Sequence, residues 1–202
     1  KTIRLGVVMD PIAGINPKKD SSFAMLLDAQ ARGWGLHYME PRHLTVREGT
    51  PFGHMTALSV RDDPQDWFSL GTARESRLTD LDVILMRVDP PVDMEYVYTT
   101  QILELAERQG VRVVNRPRGL RDANEKLSAL WFPQCIPPTL VSSDAAQLKD
   151  FLKEHGDIIV KPLAAMGGAG VFRLRPDDPN INVTIETLTL GGSRFTMAQR
   201  RI

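Results

Sequence analysis

One stretch, residues 157–172 (DIIVKPLAAMGGAGVF), constrains the fold more than any other. The β-branched run Ile158–Val160 is typical of a buried strand, and Pro162 ends that strand because proline has no N–H to donate. The glycines within residues 167–170 leave backbone N–H groups open to an anion. Because Lys161 stands at the strand end just before this loop, the stretch predicts either a polyphosphate clamp or a β-hairpin with a solvated lysine.

The order of these residues excludes the two common phosphate-binding loops. In G-x-x-x-x-G-K-[ST] the lysine follows the glycines and a helix begins there. Here Lys161 precedes the glycines, and no helix start follows them. The glycine spacing does not match the dinucleotide turn G-x-G-x-x-G either. The stretch alone therefore leaves both interpretations open.

Length and composition bound the kind of protein. The 202 residues are enough for one large or two small domains, and a formal net charge of zero predicts neither nucleic-acid nor membrane partners. The single cysteine, Cys135, excludes an internal disulfide and fits a reducing cytosol. No apolar run approaches the roughly 20 residues of a membrane helix, and the first residues are strand-like, unlike a signal peptide. We therefore expect a cytoplasmic protein.

From residue 3 to residue 114 the pattern alternates between strands and helices. It predicts strands at 3–9, 36–39, 54–60, 81–86 and 111–114, and helices at about 20–32 and at 96–109. A β-α-β opening favours a parallel sheet. We therefore predict an α/β domain for this part of the chain.

The loop after the first strand is where such a sheet places its ligands. Asp10 and the run 18–22 (KKDSS) crowd there. They could line a binding cleft. Equally, Asp20 and Ser21 could merely cap the helix while the lysines are solvated.

Arg87 stands at the C-terminal end of the strand predicted at 81–86. An arginine in that position can hold a substrate carboxylate with its bidentate fork. A structural ion pair with Asp89 or Asp93 explains it equally well.

A domain boundary is expected near residues 117–122. Asp122 is predicted to N-cap a helix, and Glu125, three residues later, completes the pattern of a capping box. Lys126 would then lie in the first helical turn, where a cation opposes the helix dipole. Such a local misfit can mark function, although an ordinary solvated lysine explains it too.

The residues after the boundary predict a smaller α+β unit. A proline-rich connector at 133–139 precedes a strand at 140–141 and a helix at 144–154. Further strands are expected at 158–161 and 195–199, with a helix or a strand at 183–190.

Six runs of the sequence resemble the bacterial glutathione synthetase family of ATP-grasp ligases: LGVVMDPI, KKDSSFAMLL, LDVILMRVDPP, VVNRPRGLRDANEKL, DIIVKPLAAMGGAGVF and MAQ. They occur in the family's order and extend over essentially the whole chain. The resemblance implies an N-terminal parallel-sheet substrate-binding domain (pre-ATP-grasp, Rossmann-like) at 1–121. It implies an incomplete α+β ATP-grasp domain, the small subdomain, at 122–202.

The same resemblance implies an activity. Members of the family join γ-glutamylcysteine to glycine with ATP and Mg²⁺ (Mn²⁺ is a possible substitute), through an acylphosphate, and release ADP and phosphate. A cytoplasmic homotetramer acting on small molecules, without nucleic acid or membrane, is expected. Two alternatives stay open: another carboxylate–amine ligase of the D-alanine ligase type, and a nucleotide-binding paralogue without catalysis. The blocks around Asp10 and Arg87 favour glutathione synthetase over the D-alanine ligases.

Position by position, the resemblance implies an ATP site. Lys126 and Lys161 match lysines that contact the phosphates, and Gln199 matches a residue at the adenine edge. The mobile loop that covers the triphosphate corresponds to Met166, Gly167, Gly168 and Ala169.

The resemblance also implies a substrate site. Arg87 matches an arginine that binds a substrate carboxylate, and Asp10, Ser21 and Ser22 belong to the same cleft. It assigns no catalytic residue within this chain.

Two features depart from the family pattern. Ala164 and Ala165 stand where the family loop has Asp-Gly, which removes an acceptor and backbone freedom, so loop closure over ATP is expected to change. The family's magnesium ligands lie beyond the position matched by Ile202. We therefore expect no metal site in this chain and no turnover by these residues alone.

Overall fold

A computed structural model describes residues 2–202 and divides the chain into two compact units, Lys1–Asp122 and Ala123–Ile202. The boundary expected from the sequence, between residues 121 and 122, lies one residue before this division. Within residues 2–202 no helix combines the length and the hydropathy needed to cross a membrane. Each unit has a sheet and a hydrophobic core of its own and is described separately.

The first unit is built on a seven-stranded sheet. Its strands are β1 (Arg4–Met9), β2 (Gly35–Met39), β3 (Leu44–Arg47), β4 (Thr50–Val60), β5 (Phe68–Arg77), β6 (Val83–Arg87) and β7 (Arg112–Val114). Strand β1 pairs in parallel with β2 and β6, and β6 pairs in parallel with β7. The predicted parallel sheet is therefore confirmed for these four strands.

The rest of this sheet is antiparallel. Strand β4 pairs with β3 and β2 along its length and with β5 on the other side. The sequence predicted only residues 54–60 as a hairpin strand, whereas β4 begins at Thr50. The turn at Glu48 and Gly49, both with positive φ, joins β3 directly to β4. So short a connection allows only antiparallel pairing, which makes the sheet mixed.

The α-helices of the first unit are α1 (Ser21–Ala31), α2 (Met94–Arg108) and α3 (Pro117–Asp122). Helix α1 begins where Asp20 accepts a hydrogen bond from the Phe23 N–H at 2.7 Å. Its Phe23 and Leu26 pack with residues of β1, while Leu103 of α2 packs in a second core cluster with Val8. Because both faces of β1 are covered, the strand is a nearly continuous apolar run.

Met39 fills a space left by two glycines. A Cβ on Gly53 would lie 2.5 Å from the Met39 sulfur, and one on Gly6 would lie 3.1 Å from its terminal methyl. Met39 is 0% exposed. The absence of side chains at Gly6 and Gly53 therefore lets this thioether pack between neighbouring strands.

The second unit is a four-stranded antiparallel sheet with helices on one face. Its elements are β8 (Thr139–Ser142), α4 (Ala145–His155), β9 (Ile158–Pro162), β10 (Phe172–Leu174), α5 (Ile181–Thr189) and β11 (Thr196–Arg200). The strand order is β10-β9-β11-β8. Leu148 of α4 and Ile185 of α5 pack against Val160 and Ala198 of the sheet. Residues 183–190, which the sequence left undecided, are mainly helical.

The prediction that Asp122 N-caps a helix is wrong. Residues Pro117–Asp122 themselves form α3, which ends at Asp122. Proline favours the first position of a helix, where its missing N–H has no intrahelical partner. Lys126 instead precedes a 3-10 helix, Leu127–Trp131, so its position does not oppose the dipole of a long helix.

Candidate functional site

In the first unit, Arg87 contacts the start of α1. It ends β6, opposite Met9 of β1, and its Nε donates to the Ser22 hydroxyl at 2.8 Å. Within residues 2–202 no ion pair joins Arg87 to Asp89 or Asp93, so the structural pair considered from the sequence is not formed. The Ser22 contact leaves the remaining guanidinium N–H groups for other acceptors.

Further charged groups lie at the same end of the sheet. Asp10 accepts a hydrogen bond from the Asp89 N–H at 2.7 Å. Partial burial raises the pKa of the Asp89 carboxyl, and the charges of Asp10 and Asp20 raise it further, while Arg87 acts in the opposite direction. The carboxyl ends of β1 and β6 therefore gather both signs of charge, as expected for the ligand edge of a parallel sheet.

The structure separates the two predicted serines. Ser22 is 4% exposed and holds Arg87, whereas Ser21 is exposed on the first turn of α1. Asp20 caps α1, as the simpler interpretation of the KKDSS run proposed. Of the predicted substrate residues, Asp10, Ser22 and Arg87 are thus brought to one end of the sheet.

A cavity of about 520 Å³ opens beside Asp10. Tyr96 and Tyr98 of α2 line it together with Asp89 and Asp93. Its size and its mixture of aromatic and carboxylate side chains suit a small polar molecule.

In the second unit, Lys161 belongs to a hydrogen-bond chain on the sheet. Its Nζ donates to Gln199 Oε1 at 2.7 Å, and Gln199 Nε2 donates to Thr139 Oγ1 at 3.0 Å. Burial lowers the pKa of Lys161, and the positive charge of Lys126 lowers it further, while Glu125 raises it. The two predicted phosphate-binding lysines are therefore close enough to interact.

Lys126 lies against the loop that follows β9. Its Nζ donates to the Ala165 carbonyl at 2.5 Å and to Glu125 Oε1 at 2.6 Å, and its side chain is 14% exposed. Asn124 accepts from the N–H groups of Lys126 and Leu127, and its Nδ2 donates to the Leu163 carbonyl at 3.2 Å. The turn that carries Lys126 is thus attached to the loop by two side chains, the Asn124 amide and the Lys126 ammonium group.

Asn124 was missed by the sequence reasoning. Its signal was an asparagine two residues before Lys126, a spacing at which the side chain can bond the backbone N–H groups that follow.

The glycine-rich loop needs its glycines. The φ values of Gly167, Gly168 and Gly170 are +61°, +80° and +70°. Residues with a Cβ rarely adopt this backbone conformation. Within residues 2–202 the N–H groups of Gly167 and Gly168 have no hydrogen-bond partner. Met166 is 43% exposed at the start of this turn. The loop therefore presents free backbone donors beside the Lys126 contact, an arrangement suited to an anion.

Binding of a divalent cation by protein side chains alone would require a cluster of suitable ligands. No group of three or more His, Cys, Asp or Glu side chains in residues 2–202 is placed to hold a metal ion. Mg²⁺ bound with a nucleotide commonly uses only one or two carboxylates together with phosphate oxygens, so this observation concerns a site built from protein side chains alone.

The fold is that of ATP-grasp proteins. The RimK domain protein ATP-grasp from Sphaerobacter thermophilus aligns with a TM-score of 0.61 at 18% identity, over 98% of this chain and 64% of that one. The D-alanyl-alanine synthetase A from Vibrio cholerae aligns with a TM-score of 0.58 at 16% identity, over 100% of this chain and 60% of that one. Identities this low establish the fold alone.

The two units also match models of one family. Residues 3–121 match the prokaryotic glutathione synthetase N-terminal domain, and residues 125–202 match the prokaryotic glutathione synthetase ATP-grasp domain. The chain belongs to the prokaryotic glutathione synthetase family, which confirms the resemblance seen in the sequence.

Curated relatives agree with this family. The glutathione synthetases of Yersinia pestis and Photorhabdus laumondii are 56% and 55% identical over 98% of this chain. The glutathione synthetase of Vibrio vulnificus is 51% identical over the same share. The chain spans about 62% of the length of these relatives.

Proposed function

We propose that this chain forms the dipeptide-binding and nucleotide-binding units of an ATP-dependent glutathione synthetase. The observation that carries the proposal is the meeting of Lys126, Lys161 and the unpartnered Gly167 and Gly168 amides in the second unit. The charges of the two ammonium groups repel each other, and Glu125, which is bonded to Lys126, offsets that repulsion only in part, since the pKa of Lys161 is still lowered. A nucleotide polyphosphate would add the negative charge that balances the second ammonium group.

The nucleotide would use groups already in place. Lys161 has two ammonium N–H groups left after its bond to Gln199. Lys126 would exchange the Ala165 carbonyl for a phosphate oxygen, a stronger acceptor. The freed loop could then close over the phosphates with its glycine amides, as Met166, Gly167, Gly168 and Ala169 are proposed to do. Gln199 is proposed to reach the adenine edge from the same sheet.

The acyl substrate is proposed to bind the first unit. Arg87, oriented by Ser22, offers a guanidinium to a carboxylate of γ-glutamylcysteine. Asp10, in the neighbouring cavity, offers an acceptor to an ammonium group. Ser21 is exposed and is assigned only the rim of this site.

The proposed reaction has two steps. A carboxylate oxygen of γ-glutamylcysteine attacks the γ-phosphorus of ATP, and ADP leaves, which gives an acylphosphate. The glycine amine then attacks the acyl carbon, loses a proton, and phosphate leaves. The chain's own residues position the reactants and neutralise phosphate charge.

Calorimetric titration with ATP and with γ-glutamylcysteine tests the proposal. Lys161→Ala and Lys126→Ala should each weaken ATP binding at least tenfold, because each removes a charge-assisted contact. Lys153→Ala, at an exposed lysine of α4, is the matched control and should leave the ATP affinity unchanged. No measurable ATP binding by the unaltered protein, or equal affinities for all variants, would overturn the nucleotide site.

The same titrations separate the alternatives. Binding of ATP without γ-glutamylcysteine would favour a nucleotide-binding paralogue, a possibility that Ala164 and Ala165 support because they replace the usual loop residues. Binding of D-alanine in place of the dipeptide would favour a D-alanine ligase. Use of Mg²⁺ (or Mn²⁺), a cytoplasmic location and a homotetrameric assembly stay predictions from the family.

A further inference from the structure

The hydrogen-bond chain that ends at Lys161 crosses three strands. Thr139 of β8 lies directly opposite Gln199 of β11, and Gln199 reaches Lys161 of β9 on its other side. Thr139 Oγ1 accepts from Gln199 Nε2 at 3.0 Å and donates to the Pro137 carbonyl at 2.7 Å. The side chains of Thr139, Gln199 and Lys161 are all partly buried.

Only one assignment of donors and acceptors along this series of hydrogen bonds gives every polar group a partner. An ammonium can only donate, so the Gln199 atom facing Lys161 must be its oxygen. The amide nitrogen then faces Thr139 and donates to it. The Thr139 hydroxyl has its own hydrogen free for the Pro137 carbonyl, which can only accept. The carbonyl of Pro137 therefore fixes the hydroxyl, the hydroxyl fixes the amide, and the amide fixes the ammonium.

The consequence concerns the free protein. A lysine side chain has four rotatable bonds, and holding its ammonium in one place is entropically unfavourable. If that ordering is completed before the nucleotide arrives, binding does not have to supply it. The acceptor on Gln199 also stabilises a charge that burial and Lys126 disfavour.

We propose that Thr139 is a positioning residue for Lys161 and acts through the orientation of the Gln199 amide. The proposal rests on the proposed function only where it concerns ATP. The positioning of Lys161 itself is a property of the free protein. Thr139→Val keeps the shape of the side chain and removes both hydrogen bonds, while Thr139→Ser keeps both.

The first measurement needs no nucleotide. NMR titration of the Lys161 side chain should show that Thr139→Val lowers its pKa by about half a unit to one unit, because the amide oxygen is no longer held toward the ammonium. Thr139→Ser should restore the original value. Thr187→Val, the same change at an exposed threonine of α5, should leave it unchanged. Thr139→Ala provides the same test if the valine variant does not fold.

A double variant shows whether the effect passes through Gln199. Gln199→Leu should itself lower the pKa of Lys161, and adding Thr139→Val should change it no further. An unchanged pKa in Thr139→Val, or an equal further decrease in the Gln199→Leu background, would overturn the positioning role.

The second measurement is ATP affinity by calorimetry. Thr139→Val should weaken binding about fivefold, and Thr139→Ser should bind like the unaltered protein. Should the unaltered protein bind no ATP, the proposed function fails, while the NMR titration still decides the positioning of Lys161. Unchanged ATP affinity in Thr139→Val, together with a lowered pKa, would refute a role of this positioning in nucleotide binding.

Discussion

The guanidinium of Arg87 is bonded to the hydroxyl of Ser22 at 2.8 Å, which joins the end of β6 to the first turn of α1. Ser22 is almost fully buried, and Arg87 lies at the sheet end that the proposed substrate would reach. The residue that holds the arginine is therefore contributed by a different element from the one that carries it.

Ser22→Ala should free Arg87. We expect γ-glutamylcysteine to bind three- to tenfold more weakly, with the free energy of unfolding lower by about 1 kcal/mol, because a partly buried hydrogen bond is lost. Calorimetry and urea unfolding measure the two effects. Ser21→Ala, at the exposed neighbour, should change the unfolding free energy by much less. Equal losses in both variants would show that the Arg87 contact contributes nothing specific.

The Asp20 cap of α1 predicts a stability change. Asp20→Ala removes the acceptor of the Phe23 N–H and should lower the free energy of unfolding by about 1 kcal/mol. Asp20→Ser should recover most of that loss, since serine caps helices as well. Urea unfolding followed by circular dichroism gives both values. Asp62→Ala, at an exposed aspartate, is the control and should have little effect.

We predict that the raised pKa of Tyr38 lowers the free energy of unfolding at alkaline pH. Its hydroxyl accepts from the Ile12 N–H and donates to Glu40, and burial, followed by the Glu40 bond, raises its pKa from 10.0 to about 12. The folded state therefore keeps this proton where the unfolded state has lost it. The stabilisation is fully present below pH 10.0 and should be lost as the pH rises to about 12.

Urea unfolding between these pH values, with phenolate absorbance as a second probe, checks this dependence. Tyr38→Phe should be less stable at neutral pH by about 1 kcal/mol, because two polar groups lose a partner. Its stability should fall less steeply above pH 10.0. A parallel decline in both proteins would assign the alkaline loss to other groups.

The alanines of the glycine-rich loop predict altered mobility. Ala165→Gly should speed hydrogen exchange across residues 166–170 about two- to fivefold, because glycine gives the loop backbone more conformational freedom. Exchange in β9 should stay unchanged, which serves as an internal reference. Slower exchange in the Ala165→Gly variant would contradict this expectation. It would mean that greater backbone freedom at residue 165 strengthens the hydrogen bond from Lys126 to its carbonyl.

The sequence was most informative where one local pattern decided the structure. The apolar run of β1, the cap at Asp20 and the strand before Lys161 all follow from neighbouring residues. The cap predicted at Asp122 failed because two signals competed within ten residues. Pro117 began a helix there, and the side chain of Asn124 then bonded the next turn.

Contacts between distant residues could not be predicted in this way. Thr139 meets Gln199 because β8 and β11 are paired, although 60 positions separate them. Likewise, sequence could not distinguish Ser21 from Ser22, since only the direction of α1 decides which one faces Arg87. The partners of Lys126 and Lys161 depend on sheet register and loop conformation, which no local motif encodes.

The close fit of Met39 between Gly6 and Gly53 has a chemical consequence. Met39 is 0% exposed, so we expect peroxide to oxidise its sulfur only when the strands separate. Met25, 45% exposed on α1, reacts without any opening. The ratio of methionine sulfoxide at Met39 to that at Met25 would thus report how often the first unit has transiently unfolded during storage under oxidising conditions.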